Sequence, residues 1–467
     1  MTLFYSLLQR RWKLFFKDTS YESTDIALIA KNCAGEIVKS YRNLPKNSQN
    51  KVFIFVIRNN FEALISYFVA SYLKIRAWII NSRDLHLVSI LVDSSCIAAF
   101  IMGANIKDIK TNCKRININF YEKKINLEKL YYITNNETAY FYFCTSGTTS
   151  TPKLVQFREK ILIDNAKAVC NYLNLKKENN SLCFFPVNYM YGLSTMLCSF
   201  LSDSTLIFEE FNISTISEIA LSYNITTLPL IGDWMISVSR VFEKSSVHIQ
   251  NILNAADRLL AIQAMNILPF CDTLWNNFGQ TESGPRIFYN KLQTIDDIEK
   301  TSKYGVVAPG KIMNNKIKVD IRANEKSKTT IGRMFYKTPY SFDGYVDKYL
   351  NLQKRDEWFD SGDIFLQNNR IYFWLTRAVN ETKYNAKFIP TQLISADIVT
   401  CADNVKHFFS KNEKGDLNLT IDSSATEDQI KMIKEILQNK WYHYIFTINI
   451  EKIALTNTGK IIYRSQC

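Results

Sequence analysis

Between Lys51 and Asn81 the sequence switches pattern twice, and that switch limits the fold more than any other feature. "KVFIFVI" (51–57) is an unbroken apolar run of strand length. "NNFEALISYFVASYLK" (59–74) then carries a helical pattern, and "AWIIN" (77–81) returns to a short apolar run. A strand, a helical crossover and a second strand form the unit of a parallel sheet covered on both faces. "LHLVSILVDSSCIAAFI" (85–101) mixes helix with strand, and the alternation resumes in "LCFFPV" (182–187), "STLIFEEF" (204–211) and "ITTLPLIG" (225–232). The Lys/Asn-rich stretch 105–130 reads as a connector. From about Gly305, glycine-bounded runs such as "GKIMNNKIKVDI" (310–321) and "GRMFYKTP" (332–339) predict a small β region. A boundary is expected near "RIYFWLTRAVNETK" (370–383). Beyond it, "TEDQIKMIKEILQNKW" (426–441) reads as an amphipathic helix capped by Thr426, with acids in its first turn. The expected class is α/β and multidomain: a large N-terminal domain (1–376) of α/β layers with a small β region, then a small α+β C-terminal domain (377–467). The length of 467 residues, more than one core usually supports, agrees.

Composition removes several function classes. Lys and Arg number 57 against 44 Asp and Glu, and nearly all of the surplus lies before Arg377. Such a surplus suits anionic partners, but no dense Lys/Arg block with interleaved aromatics is present, so nucleic acid is not expected. The ten cysteines are scattered without a CxxC, and the four histidines have no neighbour at ligand spacing. A zinc centre, a disulfide framework and a His-based triad are therefore not expected, and reduced thiols in a reducing compartment are. The first residues lack the order of a signal peptide, because their charges follow the apolar part. No run reaches ~18 uninterrupted apolar residues, the length needed for a membrane span. A cytoplasmic location is the expectation.

Four short stretches carry chemistry. "TSGTTSTPK" (145–153) empties a strand-like run into a loop of hydroxyls and glycine closed by Lys153. Exposed backbone N–H groups with hydroxyl donors and a cation form a nest for phosphate oxygens, although the Walker spacing is absent. A solvated turn is the plain alternative. In "WNNFGQTESGP" (275–285), Phe278 could stack on a purine and Gly279 admit a close backbone approach. Glu282 is a hard oxygen ligand for Mg²⁺, and the alternative is a helix start capped by Thr281. "EWFDSGDIF" (357–365) could set the Asp363 carboxylate on a ribose diol, or form a hairpin turn. "LTNTGKIIYR" (455–464) offers Lys460 after a glycine on an exposed turn, suited to transition-state charge at phosphorus or to plain solvation.

Taken in order, these stretches resemble the adenylate-forming superfamily of acyl-CoA synthetases, stand-alone adenylation domains and luciferases. "TSGTTSTPK" is similar to its phosphate-loop signature, with Ser150 where glycine is usual. "FGQTE" resembles its Y-G-x-T-E motif, "DSGD" its T-G-D motif, and the tail its P-x-T-x-x-G-K-x-x-R pattern with Leu455 for proline. The resemblance implies that Thr145, Ser146, Gly147, Thr148, Thr149 and Lys153 hold the phosphates of ATP. It sets Phe278 and Gly279 at adenine, Thr281 at the α-phosphate, Glu282 on Mg²⁺, and Asp363 with Arg377 at the ribose side. Lys460, on a mobile C-terminal domain, would bridge carboxylate and α-phosphate. The implied reaction is attack of a carboxylate on the α-phosphorus, releasing pyrophosphate and leaving an acyl-adenylate. A thiol of CoA or of an acyl or peptidyl carrier protein would then accept the acyl group.

The departures matter as much. At the hinge, Arg377 and Lys383 are kept, but Val379 stands at the family's aspartate and Ala386 where a glycine passes pantetheine. In "FFPVNYMYGLS" (184–194), Pro186 takes the place of the aspartate that pairs with an amino-acid ammonium, which disfavours amino acids. Tyr189 replaces a common histidine, Met190 and Tyr191 are candidate pocket walls, and Ala255 and Ala256 narrow a family Gly-Gly turn. All of these apolar groups serve equally as core. An apolar acyl or aryl acid is the favoured substrate. Transfer to an amine, activation of an amino acid, or a non-catalytic binding protein on a decayed scaffold are the alternatives.

Overall fold

The computed structural model describes residues 7, 10–41, 51–103, 113–123, 136–145, 152–303, 305–322, 329–377, 383–384, 387–388, 391–402, 405–411, 417–441 and 446–454. Two large sheets dominate. The seven-stranded sheet runs Gly344–Val346, Leu154–Arg158, Tyr140–Cys144, Arg76–Asn81, Val52–Ile57, Ile97–Gly103, Arg115–Ile118 in spatial order. Its strands from Tyr140–Cys144 to Arg115–Ile118 pair in parallel, as the strand–helix–strand pattern requires, while Leu154–Arg158 and Gly344–Val346 add antiparallel partners. The edge strand Arg115–Ile118 falls inside the stretch read as a connector. Its four residues alternate exposed and buried, and an edge position needs only one apolar face.

The nine-stranded sheet is built on a parallel centre, Asn180–Cys183, Thr227–Leu230, Ile249–Asn254 and Cys271–Gln280, to which Gly284–Leu292 is added antiparallel. Helices Asn60–Leu73, Glu159–Leu173 and Met190–Leu201 contribute to one core that draws on both sheets. Helix Asn60–Leu73 starts where the Asn59 side chain accepts from the Glu62 N–H at 2.9 Å, and it ends at Lys74 in the left-handed region, φ 52°. All but two of its residues are buried, which explains why its sequence is apolar nearly all round.

The small β region is a four-stranded antiparallel sheet, Lys318–Arg322, Thr329–Lys337, Phe359–Asn368 and Ile371–Arg377. After it comes the smaller C-terminal domain. Strands His407–Lys411, Leu417–Asp422 and Phe446–Glu451 carry helices Thr391–Cys401 and Glu427–Lys440, around a separate core of Ile394, Ile398, Leu419, Ile421, Ile433 and Leu437. Thr426 caps the second helix in a reciprocal box with Gln429. The Arg258 guanidinium donates to Ser395 Oγ at 3.0 Å and ties this unit to the larger domain. Among the described residues no helix is long and apolar enough to cross a membrane.

Candidate active site

Strands Tyr140–Cys144 and Leu154–Arg158 form an antiparallel pair whose open end is the Thr145–Lys153 loop. Two bonds close its neck: the Thr145 N–H donates to Lys153 O at 2.8 Å, and the Lys153 N–H to Thr145 Oγ1 at 3.2 Å. Ser146, Gly147, Thr148 and Thr149 lie outside the described residues. Lys153 leans toward the neighbouring edge strand, its ammonium 4.9 Å from the centre of the Tyr345 ring.

Tyr345 connects this loop to the second motif. Its hydroxyl donates to Glu282 Oε1 at 2.8 Å, and burial beside that carboxylate pushes the phenol far up. The Glu282 carbonyl accepts from the Phe342 N–H at 2.9 Å and from Ser341 Oγ at 3.0 Å, which pins the turn. That turn is a hairpin joining Cys271–Gln280 to Gly284–Leu292, not a helix start, so the capping alternative for Thr281 fails. The hairpin folds tightly at Gly279, where a Cβ would stand 2.2 Å from Pro285 O. Glycine there serves the crossing of its own two arms. A cavity of about 580 Å³ lined by Lys316, Lys337, Arg355 and Glu357 among others opens beside this segment, Arg355 lying 5.5 Å over the Phe342 ring.

The third motif closes the row. Phe278 stands edge-on to Phe365, ring centres 5.1 Å apart. Two residues before Phe365, Asp363 is fully buried and both its carboxylate oxygens are engaged. Oδ1 accepts from the Trp374 indole at 3.0 Å and pairs with the Arg377 guanidinium at 3.1 Å, and Oδ2 accepts from the Gln280 amide at 2.6 Å. The segment is no hairpin turn: Phe359–Asn368 is one strand, with Gly362 at φ +69° and a register shift against its neighbour.

Tyr189, Met190 and Tyr191 begin helix Met190–Leu201. The Tyr189 hydroxyl donates to Asp84 at 3.2 Å, and that of Tyr191 to the carbonyls of Leu230 at 3.1 Å and Leu253 at 2.8 Å. Leu253 leads into Ala255, which is buried, and Ala256, held at φ +73°, a conformation natural to glycine. The structure therefore joins Thr145, Lys153, Glu282, Phe278, Gly279, Asp363 and Arg377 through shared strands and side-chain contacts. Val379, Ala386 and Lys460 lie outside the described residues. Sequence reading missed Tyr345, Gln280 and Trp374, which act on the motif residues only through tertiary pairing.

The donor set bears on what the site can hold. Among the described residues there is no cluster of three metal-ligating side chains. One carboxylate is nonetheless what a Mg²⁺ that keeps its waters and leans on a polyphosphate needs. Lys153 and Glu282 fit such a pair at the loop end. At the Asp363 end, an incoming diol has to displace the Gln280 or Trp374 donor.

A family model described as AMP-binding enzyme matches residues 97–346, more than half of the chain. A 4-coumarate–CoA ligase of Pinus taeda is 23% identical over 344 residues, 68% of this chain and 63% of that relative, so the chain spans less than two thirds of its length. Among solved structures, o-succinylbenzoate CoA synthetase from Bacillus subtilis with its acyl-adenylate intermediate superposes with a TM-score of 0.76 at 13% identity, over 98% of this chain and 96% of that one. A McyG A-PCP chain complexed with phenylalanyl-adenylate gives 0.78 at 14% identity, over 98% and 81% respectively. At such identities the structural likeness is one of fold. The family match rests instead on the stretch that holds the phosphate-type loop, the Glu282 hairpin and Tyr345, and by it the chain belongs to the AMP-binding enzyme family.

Proposed function

We propose that the chain activates a carboxylic acid with ATP, forming an acyl-adenylate, and passes the acyl group to a thiol. The observation that carries this reading is the chain of contacts from Lys153 over Tyr345 to Glu282, which sets a cation and a hard carboxylate at the mouth of a hydroxyl-rich loop. A carboxylate oxygen attacks the α-phosphorus, the bond from that phosphorus to the bridging oxygen breaks, and pyrophosphate leaves with the electron pair. Mg²⁺, held through Glu282, would offset phosphate charge. The loop hydroxyls and Lys153 orient the phosphates, Thr281 and Lys460 take the α-phosphate, and Phe278 faces the base. The favoured acid has an apolar acyl or aryl body, with Tyr189, Met190, Tyr191, Ala255 and Ala256 as its walls.

CoA or a carrier protein is the proposed acceptor. Both are acidic, and the surplus of Lys and Arg over Asp and Glu in residues 1–376 suits such a partner. The units that move against each other in this reading are residues 1–376 and 377–467. One observation favours a second reading, a non-catalytic scaffold: the Asp363 carboxylate is fully buried with protein donors on both oxygens. Pyrophosphate exchange over a panel of acids separates the two. Adenylation predicts acid-dependent exchange that Lys460→Ala removes by orders of magnitude while ATP affinity stays within a few-fold. Nucleotide binding without exchange for any acid would favour the scaffold reading.

A further inference from the structure

Arg286 lies four residues beyond Glu282, on strand Gly284–Leu292, and only 1% of it is exposed. A buried guanidinium normally meets a carboxylate, because an uncompensated charge in the interior is costly. Here one terminal nitrogen donates to the Tyr172 hydroxyl at 2.9 Å, the cation stands 5.6 Å from the Tyr191 ring centre, and Nε is buried with no partner. The side chains that act on its charge are Tyr172, Tyr191 and Cys198. None of the three is a carboxylate. Burial pushes the Tyr172 phenol up to about 12 and the Tyr191 phenol higher still. The Cys198 thiol lies 3.6 Å from Ala166 O, and its hydrogen bond with Cys170 and the Arg286 cation draw its pKa down.

The surroundings tie this cation to the proposed acyl walls. Tyr191, half-buried, lies against it and is anchored by its hydroxyl to Leu230 O and Leu253 O. Tyr172 in turn donates to Asn277 Oδ1, and Asn277 Nδ2 donates to the Asn254 carbonyl at 2.9 Å, next to Ala255. Asn165, fully buried, bonds the Arg286 carbonyl at 3.3 Å and leaves its own Oδ1 unpartnered. The protein has thus built a rigid polar frame around one cation and supplied it with no carboxylate among the described residues.

We propose that Arg286 is the specificity residue for the acid's far end: the substrate carries a second carboxylate that pairs with this guanidinium while its first is activated. This rests on the adenylation reading and narrows it to dicarboxylic acids with an apolar body. A neutral tail would leave the guanidinium desolvated and unpaired, so the site discriminates against it.

The test uses the full chain and succinate, glutarate, adipate and terephthalate, each beside its mono-amide and the matching monoacid. Pyrophosphate exchange should favour a diacid over its mono-amide by at least ~100-fold in kcat/KM. Arg286→Met should erase that ratio without lowering exchange for the monoacids, and Arg286→Lys should restore part of it. Diacid-induced thermal stabilisation, measured with no ATP present, should appear in the wild type and vanish in Arg286→Met. Far-UV circular dichroism checks that each variant is folded, and Arg286→Lys stands in if the methionine variant is not. Exchange that prefers monoacids, or a diacid ratio unchanged by both substitutions, overturns the proposal. If no acid supports exchange, the adenylation reading fails, and loss of diacid stabilisation in the variant still decides the role of Arg286.

Discussion

The Tyr345 hydroxyl donates to Glu282 Oε1 at 2.8 Å while the Lys153 ammonium rides 4.9 Å from the centre of the same ring. One aromatic side chain from an edge strand thus fixes the positions of a carboxylate and a cation that belong to different hairpins. Tyr345→Phe keeps the ring under Lys153 and removes only the bond to Glu282. A hydrogen bond to a charged group contributes about 1.5–3 kcal/mol, but Glu282 gains back solvent on its loss. The expected effect is a rise of roughly 10-fold in the Mg²⁺ concentration needed for half-maximal pyrophosphate exchange, with ATP-independent stability nearly unchanged. An unaltered Mg²⁺ dependence would show that Glu282 needs no such fixing.

Asp363 poses a competition. Its Oδ1 accepts from Trp374, its Oδ2 from Gln280, and Arg377 pairs with it from the strand alongside. If nucleotide hydroxyls take this carboxylate, they displace a donor. Trp374→Phe removes one rival at little cost, since the indole is only partly buried, and should tighten ATP by a few-fold. Wild-type tryptophan emission should shift when ATP binds, and this shift should be smaller in the variant. Asp363→Ala removes the acceptor of three protein bonds and should destabilise the fold by about 3 kcal/mol, read by urea unfolding. Equal ATP affinity in wild type and Trp374→Phe, with no emission shift, would leave Asp363 a purely structural hub.

Much of this architecture is legible in the residues, because burial on both faces of a parallel strand demands an unbroken apolar run such as "KVFIFVI". Motif chemistry is legible too, since Gly279, Glu282 and Asp363 each lie in a short sequence with its own turn or bulge. What escapes is pairing at long range. Tyr345 sits in "FDGYV" with no local mark of a partner 63 residues away. Trp374 and Gln280 carry no such mark either, and only the register of the four-stranded sheet against the hairpin puts them on Asp363. Arg286 in "SGPRIF" carries no local mark of burial, because sequence spacing does not reveal its contacts with Tyr172 and Tyr191. The Arg115–Ile118 edge strand hides for the opposite reason: with one apolar face, its composition is that of a loop.

His407 gives the junction of the two domains a sensitivity to acid. Burial, with the Arg258 cation nearby, lowers its imidazole from 6.5 to about 4, while its Nδ1–H donates to Val405 O at 2.9 Å and Nε2 has no partner. A folded pKa below the unfolded one means that the native state disfavours the proton. The contribution is therefore complete above pH 6.5 and lost as pH falls toward 4. At most it amounts to about 3 kcal/mol. Asp233, raised to about 6 mainly by burial, works the other way over part of the same window. The clean measurement is the difference between wild type and His407→Phe, followed by thermal unfolding at several pH values. The wild type should lose stability relative to the variant between pH 6.5 and 4. A constant difference across that window would mean that His407 takes up its proton without cost.

Ala256 carries backbone strain where it narrows the proposed acyl site. Its φ of +73° places a β-carbon in a conformation that costs an alanine about 1–2 kcal/mol. The strand Ile249–Asn254 ends just before it, and the Asn254 amide reaches over to Asp257 O at 3.1 Å, so the turn is held whatever residue occupies it. Ala256→Gly removes the strain but adds about 0.5–1 kcal/mol of unfolded-chain entropy. The net expectation is a gain of about 0.5 kcal/mol, visible as a small rise in Tm. If the methyl also bounds the acid's body, exchange should extend to acids one ring substituent wider, at unchanged ATP affinity. A wider acid range without the stability gain would place the methyl in the pocket and the strain elsewhere. A gain in stability with the same acid range would make Ala256 part of the scaffold alone.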